Sequence, residues 1–230
     1  MGAENLVQEL LHTNAGCKFP CWWGITPGVT TVEQAMHWIA SFSWYVIYSS
    51  ALYNIDQKRG GSIDFKPEHG VIRVIQVSQN GNPTDDAPLF LPLSRLLADY
   101  GQPDQVYLRG WPYNDDHIPA FFVLVIYSQK GIIASYSGEA LIAPQRQLQI
   151  CFKKVGLDLI FWDPDTEENK DFVAEEISHQ NNRAAALDFR PIEEDTDLNP
   201  ETFYRMMLGP NACFLTPIQP WDNQERQTAP

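Results

Sequence analysis

The chain has no apolar run approaching the ~20 residues that a membrane-spanning helix requires, so no helical span is expected in its 230 residues. It is poor in basic residues, with 16 Lys and Arg against 29 Asp and Glu and a formal charge of −13. An acidic chain repels the phosphates of nucleic acid and the headgroups of anionic lipid, which sets both aside as partners. The charge otherwise speaks for solubility. There is no Gly-x-Gly-x-x-Gly, no phosphate loop, no Gly-x-Ser-x-Gly and no His-Glu-x-x-His. The five histidines, His12, His37, His69, His117 and His179, are scattered; His37, near a helix face, reads as packed or solvated. No Cys/His cluster has zinc spacing. Glu193, Glu194, Asp195 and Asp197 lack the spacing and central Gly of a calcium loop. No metal and no cofactor is therefore expected, and the reading leans away from an enzyme.

What is there is a globular composition, 44% hydrophobic and 12% aromatic, in a length that suits one large domain or two small ones. The densest local instruction lies between Asn14 and Ile39. Cys17 and Cys21 flank Lys18-Phe19-Pro20, and Pro20 stiffens the turn between the two thiols. Trp22 and Trp23 follow, each asking for burial of its ring. Gly24, Pro27 and Gly28 punctuate a loop. Thr30 with Glu33 matches a capping box, and Val32, Ala35, Met36 and Ile39 form one helical face. A disulfide-pinned corner feeding an amphipathic helix is expected. A redox pair, a metal half-site or a copper site are the competing uses of Cys17 and Cys21. The redox use is disfavoured because redox motifs place the reactive thiol at a helix N-terminus, and here Pro, two Trp and a Gly-Pro loop intervene.

Four cysteines allow three pairings. Cys17–Cys21 with Cys151–Cys213 is chosen, since local pairing leaves the two distant residues for each other. The long bridge stabilises by ~4 kcal/mol on the chain-entropy model. This usage points to an oxidising compartment. Met1-Gly2-Ala3 ahead of a polar helix reads as a start left after removal of an export signal, with a lipid anchor on that lost segment as one form of it.

Along the chain, Glu4–His12 reads as a helix with Leu6, Leu10 and Leu11 on one side. Trp44–Tyr53 is rich in strand formers, and Lys58–Gly61 reads as a turn. Ser62–Phe65 and Val71–Val77 read as strands, the second covered on both faces. A second helix starts near Pro92, a residue favoured at the first helical position, with Leu93, Leu96, Leu97 and Tyr100 on its apolar face and Gly101 ending it. Strands follow at Gln105–Arg109, Ala120–Ser128, Ile132–Tyr136, Gln147–Lys153 and Gly156–Trp162, the second and third joined across Gln129-Lys130-Gly131. Lys170–Leu187 reads as a helix, Glu193–Asp197 as an acidic loop, and Asn199-Pro-Glu201 as the start of a helix to Leu208. Gln224–Pro230 reads as frayed.

An offset of 61 carries Val32-Ala35-Met36-Ile39 onto Leu93-Leu96-Leu97-Tyr100, Tyr45–Ile47 onto Val106–Leu108, and Gly70–Ile72 onto Gly131–Ile133. The expected fold class is α+β, with two helix-plus-antiparallel-sheet units in tandem. Residues 1–13 form an N-terminal helix or linker, 14–82 the first unit, 83–154 the second, and 155–230 an irregular C-terminal extension packed on the second.

Gly28-Val-Thr-Thr-Val-Glu33 before one helix and Tyr100-Gly-Gln-Pro103 after another resemble the Gly-x-Thr start and Leu-Gly-x-Pro end of the small lipoprotein subunit of the outer-membrane barrel-assembly machinery. The helix-plus-sheet unit in tandem is similar to that of the secreted β-lactamase inhibitor proteins. The resemblance covers at most residues 24 to 153. It implies an exported α+β module that binds other proteins, such as another envelope or secreted protein.

The expected function is thus a non-enzymatic, extracytoplasmic binding or scaffold module. Two alternatives stand beside it. One is a thiol-disulfide redox protein using Cys17 and Cys21, with Trp22 and Trp23 shaping the site. The other is carbohydrate or cation binding at Trp111, Tyr113, Asp115, Asp116 and His117, with the aromatics as platforms and the carboxylates as acceptors.

Overall fold

The computed structural model describes residues 3–43, 45–47, 50–54, 60–80, 91–111, 119–144, 147–153, 155–165, 189–209 and 212–217. Among the described residues the helices are α1 (Ala3–Thr13), α2 (Val32–Ile39), α3 (Leu93–Tyr100), α4 (Ile192–Asp195) and α5 (Pro200–Met207). The strands are β1 (Tyr45–Ile47), β2 (Ser50–Asn54), β3 (Gly60–Glu68), β4 (Val71–Asn80), β5 (Gln105–Trp111), β6 (Ala120–Tyr127), β7 (Ile132–Glu139), β8 (Leu141–Ala143), β9 (Gln147–Cys151), β10 (Val155–Trp162), β11 (Arg190–Pro191) and β12 (Cys213–Pro217). The class is α+β, as the sequence indicates. The expected helix over 170–187 and the terminus 224–230 lie outside the described residues.

The chain forms two compact units. The first comprises Met1–Asn82, Tyr127–Ala134 and Gly156–Lys170, the second Pro83–Ile126, Ser135–Val155 and Asp171–Pro230. In the first unit the strand order is β1-β2-β3-β4-β10, each pair antiparallel. β3 and β4 turn at His69 (φ 49°) and Gly70 (φ 82°), two successive left-handed residues of the kind that match the twist of a two-residue hairpin. Both strands outrun the sequence reading: Gly60 and Gly61 open β3 instead of belonging to a turn, and Lys66–Glu68 stay in the ladder past a register shift at Lys66/Pro67. Because side chains alternate along a strand, Ile72 and Val74 lie on one face of β4 and Ile75 and Val77 on the other. All four are buried, so the strand is covered on both faces. β10, expected in a C-terminal extension, pairs with β4 from Leu157↔Gln79 to Trp162↔Val74.

In α1 the buried residues are Val7 and Leu10, one turn apart, with Leu6 and Leu11 half-buried at the margins. α2 buries Ala35 and Ile39. Its capping box is one residue later than read. Thr31 Oγ1 accepts from the Gln34 N–H, and Gln34 Oε1 accepts from the Thr31 N–H. Thr30 Oγ1 is engaged instead by the Thr26 N–H at 2.9 Å. The loop before α2 is laced to the start of β4: Gly28 N–H donates to Ile72 O (2.7 Å), Ile72 N–H to Thr30 O (2.9 Å) and Val32 N–H to Gly70 O (3.1 Å). Gly28 has φ +78°, and a Cβ there would collide with the Asp163 carboxylate, so a close approach as well as a left-handed backbone requires glycine.

The second unit holds the strand order β7-β6-β5-β11 and a separate three-stranded sheet, β12-β9-β8. β5 pairs antiparallel with β6 from Gln105↔Ile126 to Trp111↔Ala120. β6 and β7 are joined through a 3-10 turn at Ser128–Lys130 and Gly131 in the left-handed region, residues that are counted with the first unit. Leu93, Leu96 and Leu97 of α3 are buried. The helix starts beside Pro92, as expected, with Pro92 as its N-cap; the extended φ/ψ of −63°/149° at that residue leads into the helix. Tyr136 Oη donates to Leu91 O at 3.2 Å. Phe152 stands edge-on to Phe121, Tyr136 and Phe203, a centre for this core. Asn199 caps α5 through Thr202, and Phe203 and Met207 are buried. The residues read as an acidic loop supply Glu193, Glu194 and Asp195 to the single turn of α4, where carboxylates meet the positive end of the peptide dipoles. β8 and β12 were not anticipated.

Candidate functional site

The cysteine corner is built from Asn14 outward. After α1 the backbone turns through three left-handed residues, Asn14 (φ 50°), Ala15 (φ 52°) and Gly16 (φ 77°). Asparagine tolerates that region because its short side chain bonds locally. Here Asn14 Nδ2 donates to Cys17 O (3.0 Å) and to Cys21 O (2.8 Å). Asn14 Oδ1 accepts from the Trp23 N–H at 2.7 Å. One side chain thereby clamps both ends of the Cys17–Cys21 turn and the start of the next. Within that turn the Cys21 N–H donates to Lys18 O at 3.0 Å, and the Phe19–Pro20 peptide is cis. Cys17 is bonded to Cys21, the local pair chosen from sequence.

Trp22 and Ile25 then exchange both backbone hydrogen bonds, at 2.8 and 2.9 Å, around Trp23 (φ 53°) and Gly24 (φ 83°). The turn throws the two indoles into the interior: Trp22 is 2% exposed and Trp23 fully buried. Trp22 stacks on Trp23 with ring centroids 5.3 Å apart and on Phe161 of β10 at 5.5 Å. Phe19 packs on Phe161 at 4.6 Å, and Phe42 meets Trp23 edge-on at 5.4 Å. Trp38 of α2 donates its indole N–H to Trp23 O at 3.0 Å. The corner is thus joined to β10 by ring faces and to α2 by the Trp38 indole N–H. Its tryptophans are packing groups whose faces are taken by protein rings. The Gly24 N–H points at Cys17 Sγ, 3.4 Å away, the one polar contact to a sulfur of this bond among the described residues.

The second disulfide joins Cys151 to Cys213. These residues stand directly opposite each other on β9 and β12, with Cα atoms 4.4 Å apart, the spacing of a non-hydrogen-bonded antiparallel pair. Both cysteines belong to the second unit, and the bond pins β12 to β9.

Of the alternative site, Trp111 is the last residue of β5, its backbone paired with Ala120. Tyr113, Asp115, Asp116 and His117 lie outside the described residues. On β5 itself, Arg109 is 5% exposed and its guanidinium lies between the rings of Phe122 and Phe189, 4.4 Å from each centroid, a doubly stacked cation. Burial pushes the Tyr107 phenol above its ordinary pKa of 10.0, and the carboxylates of Glu193 and Glu194 push it further in the same direction. Among the described residues no group of three or more His, Cys, Asp or Glu side chains is placed to hold a metal ion.

The sequence pointed to Cys17, Cys21, Trp22 and Trp23, and the structure brings these four together. It did not point to Asn14 or Phe161. The only signal for Asn14 was an asparagine two residues before Gly16 and just past a helix, which marks a helix end and not a clamp. No protein-family model, no curated protein and no solved structure matches this chain.

Proposed function

We propose that the chain is a non-enzymatic, extracytoplasmic binding or scaffold module, built from two helix-plus-antiparallel-sheet units in tandem and locked by two disulfides. The observation that carries this reading is the use of its four cysteines. One bond ties the Asn14-clamped corner and the other ties β9 to β12, and such bonds persist in oxidising compartments. The tandem plan is supported by the offset of 61, which turns the bounds of α2 into those of α3, sets β1 within β5 and carries the first residue of β4 onto that of β7. It also carries Gly70 onto Gly131, both at positive φ. The segment after the second copy, 155–230, supplies β10 to the first unit and β11, α5 and β12 to the second. The resemblance to exported helix-plus-sheet modules makes another envelope or secreted protein the natural partner.

A pull-down from envelope extract with the oxidised chain, run beside a broad activity screen, tests this. A saturable protein partner and no turnover are expected; robust turnover with no partner would sink the reading.

One observation favours a second reading, a thiol-disulfide redox protein. The Gly24 N–H at Cys17 Sγ would stabilise a thiolate there, since hydrogen bonds to a charged form lower its pKa. Thiol counting across a glutathione redox series decides. If the Cys17–Cys21 bond opens at mild potential while Cys151–Cys213 stays closed, the redox reading displaces the first.

A further inference from the structure

The three-stranded sheet of the second unit has no charged side chain on any strand, Leu141–Ala143, Gln147–Cys151 or Cys213–Pro217, in a chain of formal charge −13. Its register places Leu148 opposite both Ile142 and Thr216, so the three share a face. Leu148 and Thr216 are fully buried, yet Ile142 is 65% exposed. The cause is its strand: β8 ends the sheet, and among the described residues no strand pairs with its outer edge. On the other face Leu141, Gln149 and Leu215 form one cross-strand row, with Leu141 61% exposed. β8 therefore shows an apolar residue on each face beside a ladder edge that no described strand pairs.

The opposite edge is guarded. β12 ends on Pro217, which cannot donate to a ladder. Sheets protect free edges with charge, proline or a covering element. β12 carries the proline, whereas β8 is protected by its shortness alone and has neither a charge nor a proline.

We propose that the β8 edge docks an extended segment of another polypeptide, which adds as a fourth strand and places adjacent apolar residues over Leu141 and Ile142. This names the surface for the binding role proposed above and rests on that role. Area and charge select the occupant. Leu141, Ile142 and Leu215 together expose on the order of 300 Å2, well below the ~800 Å2 per partner of a stable globular interface. A second copy would also bring a charge of −13 against its own like. A lone strand needs less area, because main-chain hydrogen bonds supply affinity and side-chain contacts supply register. The segment is neutral or basic, since an acidic one meets the repulsive field of the chain.

The test pans a random-peptide phage library on the intact oxidised chain, with Ile142→Lys and Leu141→Lys as counter-targets and light scattering of the chain alone. Both side chains are exposed, so both variants keep the parental melting temperature; Ile142→Thr replaces any that does not. Enriched peptides should carry two consecutive apolar residues and bind Ile142→Lys at least about tenfold more weakly. They should also slow hydrogen exchange at those β8 amides that point away from β9. Peptides indifferent to all three variants, or a library that yields none, overturn the β8 site, while the extract pull-down decides the binding role separately. β8 amides already protected in the free chain, or a dimer that Ile142→Lys dissolves, overturn it in favour of cover from within the chain or from a second copy.

Discussion

Asn14 does with three hydrogen bonds what the neighbouring disulfide does with one covalent bond: it fixes where Cys17 and Cys21 stand. Replacing it with Asp keeps the size and the tolerance of a left-handed φ but removes both donors. A carboxylate would then face Cys17 O and Cys21 O, two acceptors that the Asn14 amide now satisfies. Asn14→Asp should cost about 1–3 kcal/mol in urea denaturation, the range for an unmade part-buried hydrogen bond. A variant as stable as the parent would show that the clamp holds nothing. This role was not legible, because it depends on Trp23 returning to a residue nine positions earlier, a contact that no local pattern encodes. The burial of Trp22 and Trp23 was legible, since an indole gains too much by leaving water to remain outside. At the same scale, Tyr107 should titrate above 10.0 by ultraviolet absorbance. Its raised pKa means the unfolded chain ionises first, so its contribution is intact below pH 10 and is lost as pH rises past that value. Because burial is the larger cause, Glu193→Gln with Glu194→Gln should move the midpoint only part of the way back. A complete return would make the carboxylates the main cause.

Among elements, α2 and α3 were legible because four apolar positions at i, i+3, i+4 and i+7 admit one reading. The cap of α2 slipped by one residue because Thr30-Thr31 and Glu33-Gln34 offer two equivalent boxes, and contact with Thr26 decides between them. β8 and β12 were missed for a different reason. The three residues of β8 are too few to carry a period, and both strands are defined by pairing with β9. What holds β12 is partly covalent, which separates the two disulfides energetically. The Cys17–Cys21 bond spans a sequence separation of 4 and Cys151–Cys213 one of 62. On the chain-entropy model the first stabilises by ~2 kcal/mol and the second by ~4 kcal/mol. Chemical denaturation of the two paired Cys→Ser variants should therefore show the larger loss for Cys151→Ser/Cys213→Ser. The reverse order would mean that the corner bond relieves something beyond chain entropy.

Across the whole chain, an offset of 61 suggests contiguous copies, but strand pairing is indifferent to sequence distance, and the first unit recruits 127–134 and 156–170 in addition to 1–82. β10 covers the edge of β4 over six residue pairs and supplies Phe161, on which both Phe19 and Trp22 rest. A fragment ending at Asn82 keeps α1, α2 and four strands yet lacks that cover. Its β4 would present an unpaired edge with Ile75 and Val77 buried on one face only by what remains, and such edges invite aggregation. The fragment should fail to fold, with poor amide dispersion in nuclear magnetic resonance spectra and solvent-exposed tryptophan fluorescence. Joining residues 156–165 to it through a flexible linker should restore both signals, because the missing partner is then supplied at high effective concentration. A fragment that folds without the graft would make β10 dispensable and return the first unit to the contiguous 14–82 that the repeat alone suggests.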